Sequence, residues 1–435
     1  MTEERGKIDQ NIAQSMQNRV LSTFIFLFFN DGEFLEAPYI IMLSSLAFIF
    51  ILGLGLASIV EKLRLPRLVG MLIAGMALGP FALDLVAPSI IDISLDIRKM
   101  ALIVILIRAG LALNLKELKQ VGRPAILMSF IPACFEMLVV VLAAPALLGI
   151  SKLDAAIVGV VLAAVSPAVI VPKMLNLMDK KIGTNKSIPQ MIMSAGTIDD
   201  LFLITLFTVF TGMAMGDEFT TASLGTVPIA VITGLIVGII VGYGLCIFFR
   251  KYHIRDSIKV IIIMAISFLL VTLEGLLEEI IPFSGLLAVM ALGIALLQFY
   301  AKLAFRLSDK FAKIWIVAEI LLFVLVGVSL DINYALSAGL PVVALIFLAL
   351  IGRMVGVYLS LLGTKLNYKE KLFCMLAYIP KATVQAAIGS IPLAIGLDCG
   401  AIVLTVAVLS ILITAPLGAF AIDLTYKKLL TKDSL

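Results

Sequence analysis

Apolar residues form long runs separated by short polar loops, a pattern typical of membrane-spanning helices, each of which needs about 20 apolar residues. The polar residues 1–19 and a short apolar run at 20–29 come first. Thirteen predicted spans follow, at residues 38–60, 66–83, 98–114, 121–149, 152–176, 187–213, 223–250, 257–274, 281–299, 311–330, 335–362, 369–396 and 399–426. If residues 11–30 also cross, there are fourteen.

Loop charges predict the orientation. Lys and Arg concentrate in every second loop, starting after the first span, and in the C-terminal tail, whereas the intervening loops carry mostly Asp and Glu. The positive-inside rule therefore places the basic loops and the C-terminus in the cytoplasm. Because the basic residues lie in these loops, the net charge of +4 gives no reason to expect a nucleic-acid partner.

Composition agrees with a polytopic membrane protein surrounded by lipid. Of the 435 residues, 62% are hydrophobic and 14% are charged, whereas a soluble domain is about half apolar and a quarter charged. The four cysteines have no paired spacing, so neither a disulfide framework nor a metal site is predicted from them. No cofactor is expected.

Short strings recur in order in the two halves. Residues 76–79 (Met-Ala-Leu-Gly) recur at 290–293, residues 110–114 recur loosely at 327–331, and Glu136 then falls on Arg353. The first copy begins outside and the second inside, which predicts two inverted six-helix repeats with span 7 between them. Inverted repeats are a transporter architecture, with the site near the midplane where broken helices meet.

The fifth span of each copy contains an interior proline, Pro167 in Val-Ser-Pro-Ala and Pro380 in Ile-Pro-Lys-Ala. Proline removes a backbone donor and interrupts the helix, which frees carbonyls and exposes charged half-helix ends. We therefore predict two broken helices. Lys381 is expected to neutralise the carbonyl end of the half-helix before it, and Gln385 to add hydrogen bonds.

Two adjacent carboxylates, Asp199 and Asp200, lie in an otherwise uncharged apolar run. Each costs about 2.5–3.5 kcal/mol at mid-membrane, so such residues usually handle ions or protons, or are paired. They point about 100° apart around their helix, and in a poorly solvated site they titrate as a coupled pair. A carboxylate that binds either a proton or a small cation is the minimal device of an exchanger.

Other polar residues of the spans complete the predicted site. The oxygens of Ser166 and Thr197, with the two aspartates and the freed carbonyls, suit Na⁺ or Li⁺ better than a soft metal. Glu136 and Arg353 are expected to form an ion pair, although Arg353 could instead pair with Asp199. Arg108, near a span end, is expected to extend towards the membrane interface.

The strings Ser-Ala-Gly-Thr-Ile-Asp-Asp at 194–200, Val-Ser-Pro-Ala at 165–168 and Leu-Ala-Tyr-Ile-Pro-Lys-Ala-Thr-Val-Gln-Ala-Ala-Ile-Gly at 376–389 resemble the cation/proton antiporter superfamily, and within it the NHA subgroup of sodium/proton antiporters. The resemblance implies a homodimer, an elevator-like motion of a core domain, and two broken helices that cross beside the aspartates. It also implies that Asp200 carries the ion, with Asp199 as its partner.

We therefore expect an all-α membrane protein of the sodium/proton antiporter fold, in the plasma membrane of a prokaryote, exchanging Na⁺ or Li⁺ for H⁺. The expected divisions are an N-terminal segment at 1–37, a dimerisation domain at 38–97 and 257–310, a linker helix at 223–256, and core halves at 98–222 and 311–435. Potassium/proton exchange is the alternative. An intramembrane aspartyl protease is not predicted, because it needs two aspartates on separate helices, whereas Asp199 and Asp200 share one. A channel is not predicted either, because the sequence shows no pore loop or ring of charges.

Overall fold

The computed structural model describes residues 42–63, 65–112, 121–215, 221–277 and 281–432, without the side chains of Thr197, Leu201, Ala338 and residues 221–228. The predicted N-terminal segment 1–37 and the question of a fourteenth span at 11–30 lie outside these residues, as do residues 38–41 of the first predicted span.

The described chain is helical apart from its loops and one isolated β-bridge between Ile182 and Lys432. In chain order the helices are α1 Met42–Lys62, α2 Arg67–Leu78, α3 Pro88–Asp92, α4 Ser94–Ala112, α5 Arg123–Leu148, α6 Lys152–Ala163, α7 Pro167–Asp179, α8 Ile188–Ala214, α9 Thr221–Lys251, α10 Asp256–Leu277, α11 Gly285–Phe299, α12 Ala301–Val328, α13 Ile332–Ser360, α14 Tyr368–Ala377, α15 Thr383–Ile388, α16 Ile391–Ala394 and α17 Gly400–Leu429.

Nine apolar stretches of the described chain are long enough to cross a membrane, counting α6 and α7 together as one, and shorter apolar helices lie at Arg67–Leu78, Gly285–Phe299 and Thr383–Ala394. The protein is therefore an all-helical polytopic membrane protein. The exact number of thirteen spans stays a prediction. The two predicted breaks are present: residues 152–176 form α6 and α7, and residues 369–396 form α14, α15 and α16.

The helices pack in two groups. The first bundle comprises α1–α4 and α9–α12, with α4 and α12 packed on each other and on α11, and α2 packed on α1 and α12. The second bundle comprises α5–α8 and α13–α17, in which the α5–α13 contact is the most extensive. The sequence analysis placed residues 98–114 and 311–330 in the core halves, but the helices there, α4 and α12, pack within the first bundle.

Two close helix crossings hold the first bundle together at glycine pairs. A Cβ on Gly75 of α2 would lie 2.9 Å from the Cα of Gly327 in α12, and a Cβ on Gly110 of α4 would lie 3.0 Å from the Cα of Gly293 in α11. Small residues let helix backbones approach closely in a membrane, where packing and not hydrophobicity drives helix association.

Candidate ion-binding site

The two helix breaks meet in the middle of the second bundle. Pro167 is the first residue of α7, where its missing N–H costs nothing, and the residue before a proline favours an extended backbone. Ser166 accordingly has φ −92° and ψ 109°. Its backbone N–H donates to the carbonyl of Pro380 in the second break at 2.8 Å, so the two breaks are bonded to each other.

Arg353 of α13 joins both breaks to two carboxylates. Its Nη1 contacts Glu136 Oε2 at 2.9 Å and its Nη2 contacts Asp199 Oδ2 at 2.7 Å. Nη1 also donates to the carbonyl of Ala163, the last residue of α6, and Nε donates to the carbonyl of Tyr378, which caps α14, at 3.0 Å. One guanidinium thus satisfies the negative carbonyl ends of both half-helices.

The two open pairings of the sequence analysis, Arg353 with Glu136 and Arg353 with Asp199, therefore both occur. Lys381 joins the same cluster, because its Nζ lies 2.8 Å from Glu136 Oε1 and it shares that carboxylate with Arg353. The prediction that Lys381 neutralises the carbonyl end of α14 is wrong, since Arg353 donates there. Gln385 does add hydrogen bonds, from Nε2 to the carbonyls of Ala164 at 2.8 Å and Leu162 at 3.3 Å.

Asp199 is held rigidly. Besides the Arg353 contact, its Oδ2 accepts from the backbone N–H of Val165 in the first break at 3.1 Å, and the side chain is fully buried. The four charges of Asp199, Glu136, Arg353 and Lys381 form one buried cluster whose formal charges cancel. Buried charges are tolerated when they are paired and hydrogen-bonded in this way.

Asp200 has a different environment. It lies on α8 next to Asp199, and only 9% of its surface is exposed. Its Oδ1 has no hydrogen-bond partner among the described residues. It lines a cavity of about 790 Å³ together with Ser194, Pro167 and Thr383. Asp200 is thus the carboxylate of the pair that faces an accessible space, as the angle between neighbouring helix positions predicts.

Further oxygens near the crossing also lack partners within the described part of the chain: Asp199 Oδ1, Ser166 Oγ, Thr383 Oγ1 and Gln385 Oε1. Buried polar atoms are normally satisfied, so a group of free acceptors is typical of a site that binds something. Thr197, a predicted ligand, lies on α8, but the structure does not describe its side chain. Groups of three or more His, Cys, Asp or Glu side chains suited to a resident metal are absent from the described residues.

Two residues of this region, Thr383 and Glu319, escaped the sequence analysis. Thr383, the first residue of α15, lines the cavity with an unpaired hydroxyl; its position directly after the second break was the available signal. Glu319 also lines the cavity, and the available signal was an acidic residue inside the predicted apolar span 311–330. Arg108, which we expected to extend towards the membrane interface, has its guanidinium over Trp315, 5.8 Å from the ring centre, and lines the cavity; its position relative to the interface stays a prediction.

Comparison with known proteins gives consistent results. Residues 46–427 match the family model described as "Sodium/hydrogen exchanger, transmembrane". The chain is 33% identical to sodium/hydrogen exchanger 9B2 of Homo sapiens over 87% of this chain and 72% of that protein, and 31% identical to sodium/hydrogen exchanger 9B1 of Homo sapiens over 85% and 73%. The structure of the sodium proton antiporter MjNhaP1 from Methanocaldococcus jannaschii shares the fold, with a TM-score of 0.78 at 20% identity over 89% of this chain and 98% of that one.

Proposed function

Because the chain belongs to the sodium/hydrogen exchanger family, we propose that it is a secondary antiporter that exchanges Na⁺ or Li⁺ for H⁺, with Asp200 binding cation and proton in turn. The resemblance of its motifs to the cation/proton antiporters is confirmed by the same matches. Its named relatives are transporters, and we propose no enzymatic reaction for it.

One observation supports the role of Asp200 above the others. Every other charge of the buried cluster forms an ion pair, whereas Asp200 forms none among the described residues and lines the cavity. A partner-free carboxylate inside a membrane is expensive unless a cation or a proton occupies it for most of the time. Either occupant neutralises the site, and the two exclude each other, which is the competition that exchange requires.

The neighbouring oxygens fit the cation. We propose that a dehydrated Na⁺ or Li⁺ at Asp200 is completed by Asp199 Oδ1, Ser166 Oγ and the hydroxyls of Thr383 and Thr197, which are hard donors suited to a hard ion. When a proton replaces the cation, only Asp200 is needed. The paired cluster behind it stays neutral in both states, so the loaded site presents no net charge to the membrane.

The arrangement of the bundles supports an elevator-type alternation. The breaks, the charge cluster and Asp200 all belong to the second bundle, and the cavity lies between this bundle and the first. Sliding the second bundle against the first would carry the occupied site across the membrane as one unit. We propose that the first bundle, including α4 and α12, forms the dimerisation domain of a homodimer, and that α9 links it to the second bundle.

Charges at the cavity mouth support its orientation. The cavity is also lined by Glu61, Arg67, Lys173 and Asp423, which flank loops that the positive-inside rule assigns to the cytoplasm. We propose that the described conformation faces inward, with the C-terminus on the same side, and that the protein resides in the plasma membrane.

Packing also supports the inverted repeats. The helix that contains 76–78, α2, crosses α12, which runs to the 327–331 string, and α11, which contains 290–293, crosses α4, which contains residues 110–112. Exchanging the two predicted repeats therefore turns the crossing of α2 with α12 into the crossing of α11 with α4. The contact of Glu136 with Arg353, which occupy equivalent positions, has the same symmetry.

Transport by purified protein in proteoliposomes tests the proposal. With an internal pH dye, external Na⁺ or Li⁺ should drive proton efflux, and K⁺ should do so weakly. Proton flux with K⁺ alone would replace the proposed substrate by the alternative, potassium/proton exchange. Absence of flux with all three cations, from protein that is monodisperse in detergent, would contradict the antiport proposal.

A further inference from the structure

The cavity in front of Asp200 has a second charged wall, contributed by the first bundle. Asp200 and Thr383 line it from the second bundle, and Arg108 of α4 with Trp315 and Glu319 of α12 line it from the first. This wall carries opposite charges that the proposed exchange cycle does not use.

Arg108 and Glu319 lie on two helices that pack on each other, α4 and α12, and line the same cavity. Trp315 and Glu319 are one turn apart on α12 and therefore share a face. The guanidinium of Arg108 lies over the Trp315 ring, 5.8 Å from its centre, and Glu319 lies within electrostatic range of both Arg67 and Arg108. A cation placed over an aromatic face is stabilised, most strongly over tryptophan.

Neither side chain forms an ion pair within 4 Å or a hydrogen bond among the residues that the structure describes, and both are only partly exposed. The other acidic residue on this wall, Glu61, differs: it pairs with Arg67 at 3.6 Å and is well exposed. Groups that serve structure alone inside a membrane are normally paired directly. Glu319 instead lines the cavity without a direct partner among the described residues.

From these positions we infer a second cation site: Glu319 and Arg108 form an entry site for a partly hydrated monovalent cation between the cavity mouth and Asp200. Glu319 attracts the cation, and Arg108 limits how tightly it is held. The inference rests on the proposed function, because it assigns a waiting position to the cation that Asp200 then binds.

The opposite charges of Glu319 and Arg108 affect a cation in the cavity in different ways. Charges in a cleft with low-dielectric walls change the local concentration of a small ion strongly, so a carboxylate on the approach to Asp200 raises cation occupancy. An ion path also needs sites weak enough to leave. Arg108, positioned over Trp315, weakens the attraction between Glu319 and a cation. Because Arg108 forms no salt bridge with Glu319, the carboxylate stays available to the cation.

Opposite shifts in apparent affinity test this site. In proteoliposomes, Glu319→Gln should raise the half-saturating Na⁺ concentration about three- to tenfold, and Arg108→Gln should lower it, as removing a unit charge at the cavity wall dictates. The maximum rate should change much less than the half-saturating concentration. Both shifts should shrink when choline chloride raises the ionic strength. Arg108→Lys, which keeps the charge, should shift less than Arg108→Gln.

Asp423→Asn is the matched control, because Asp423 is a cavity-lining carboxylate that is exposed and already paired with Lys173, and its shift should be small. Clear Na⁺-driven flux in the wild type combined with unchanged affinity, or with shifts of the same sign, in Glu319→Gln and Arg108→Gln would overturn the entry site while leaving the antiport proposal intact. Absence of wild-type flux would instead contradict the antiport proposal.

A binding readout keeps the entry site testable independently of transport. In an Asp200→Asn background, Na⁺ should still raise the melting temperature in detergent through the entry site, at millimolar concentrations and with choline as the ionic-strength control. Adding Glu319→Gln should abolish that rise. An equal Na⁺-dependent rise in both proteins would contradict the entry site.

Discussion

At the scale of single residues, the arrangement around Arg353 separates structural charges from the transporting one. Arg353 contacts Glu136 and Asp199, Lys381 shares Glu136, and the formal charges cancel. Asp200, one residue from Asp199, forms no ion pair among the described residues and lines the cavity. A rotation of about 100° along one helix is enough to give two neighbouring aspartates different tasks.

Glu136→Gln should destabilise the protein more than it slows exchange. The change leaves Arg353 and Lys381 with one carboxylate, Asp199, between them, and breaking a buried pair typically costs about 3–5 kcal/mol. The expected result is a clearly lower melting temperature in detergent. Glu61→Gln, which removes an exposed pair, is the control and should change the melting temperature little. An unchanged melting temperature in Glu136→Gln, with Arg353 intact, would count against the structural role.

The sequence could indicate which charges matter but not how they share partners. Equivalent positions in the two copies led to the Glu136–Arg353 pair, and adjacency led to divided roles for the aspartates. The three-way sharing by Arg353, Glu136 and Lys381 depends on where α5, α13 and the second break meet, which no spacing along the chain specifies. The sequence does not predict that Glu319 and Asp200 line the same cavity, because this depends on how α12 packs in the fold.

At the scale of elements, the breaks in α6–α7 and α14–α15 could be predicted because proline acts locally. Which helices belong together could not. The α4 and α12 helices were assigned to the core from their order in the repeats, but glycine contacts pack them on α11 and α2. Such close approach depends on the facing helix, which here is about 180–250 residues away in the chain. Apolar runs of similar composition therefore do not indicate which helices pack together.

Gly418→Ala should disturb the second break. A Cβ at this position of α17 would lie 2.8 Å from the backbone nitrogen of Pro380, so the break and the crossing bonded to it must shift. Overpacking of this kind typically costs about 1–3 kcal/mol. We expect a lower melting temperature and slower exchange. Gly244→Ala is the control, because a Cβ there would meet no atom within 4 Å; equal behaviour of the two variants would contradict the tight crossing.

At the scale of the whole molecule, the charge balance predicts electroneutral exchange. Asp199 is occupied by Arg353 and by the Val165 N–H, and arginine keeps its charge at any accessible pH. Asp200 then alternates alone between one sodium ion and one proton. In proteoliposomes clamped with potassium and valinomycin, after potassium has been shown not to be transported, rate and equilibrium should be independent of the imposed potential. Exchange whose rate or equilibrium depends on the imposed potential would contradict electroneutral exchange and would indicate that Asp199 also carries a proton.

The central claim is that Asp200 is the residue that exchanges cation for proton, and Asp200→Asn tests it most directly. The amide cannot take up and release a proton, so sodium-driven proton flux in proteoliposomes should be abolished while the melting temperature and monodispersity in detergent are retained. Asp398→Asn, an exposed aspartate in the loop before α17, is the matched control and should transport normally. Sodium-driven proton flux at the wild-type rate in Asp200→Asn would contradict the account.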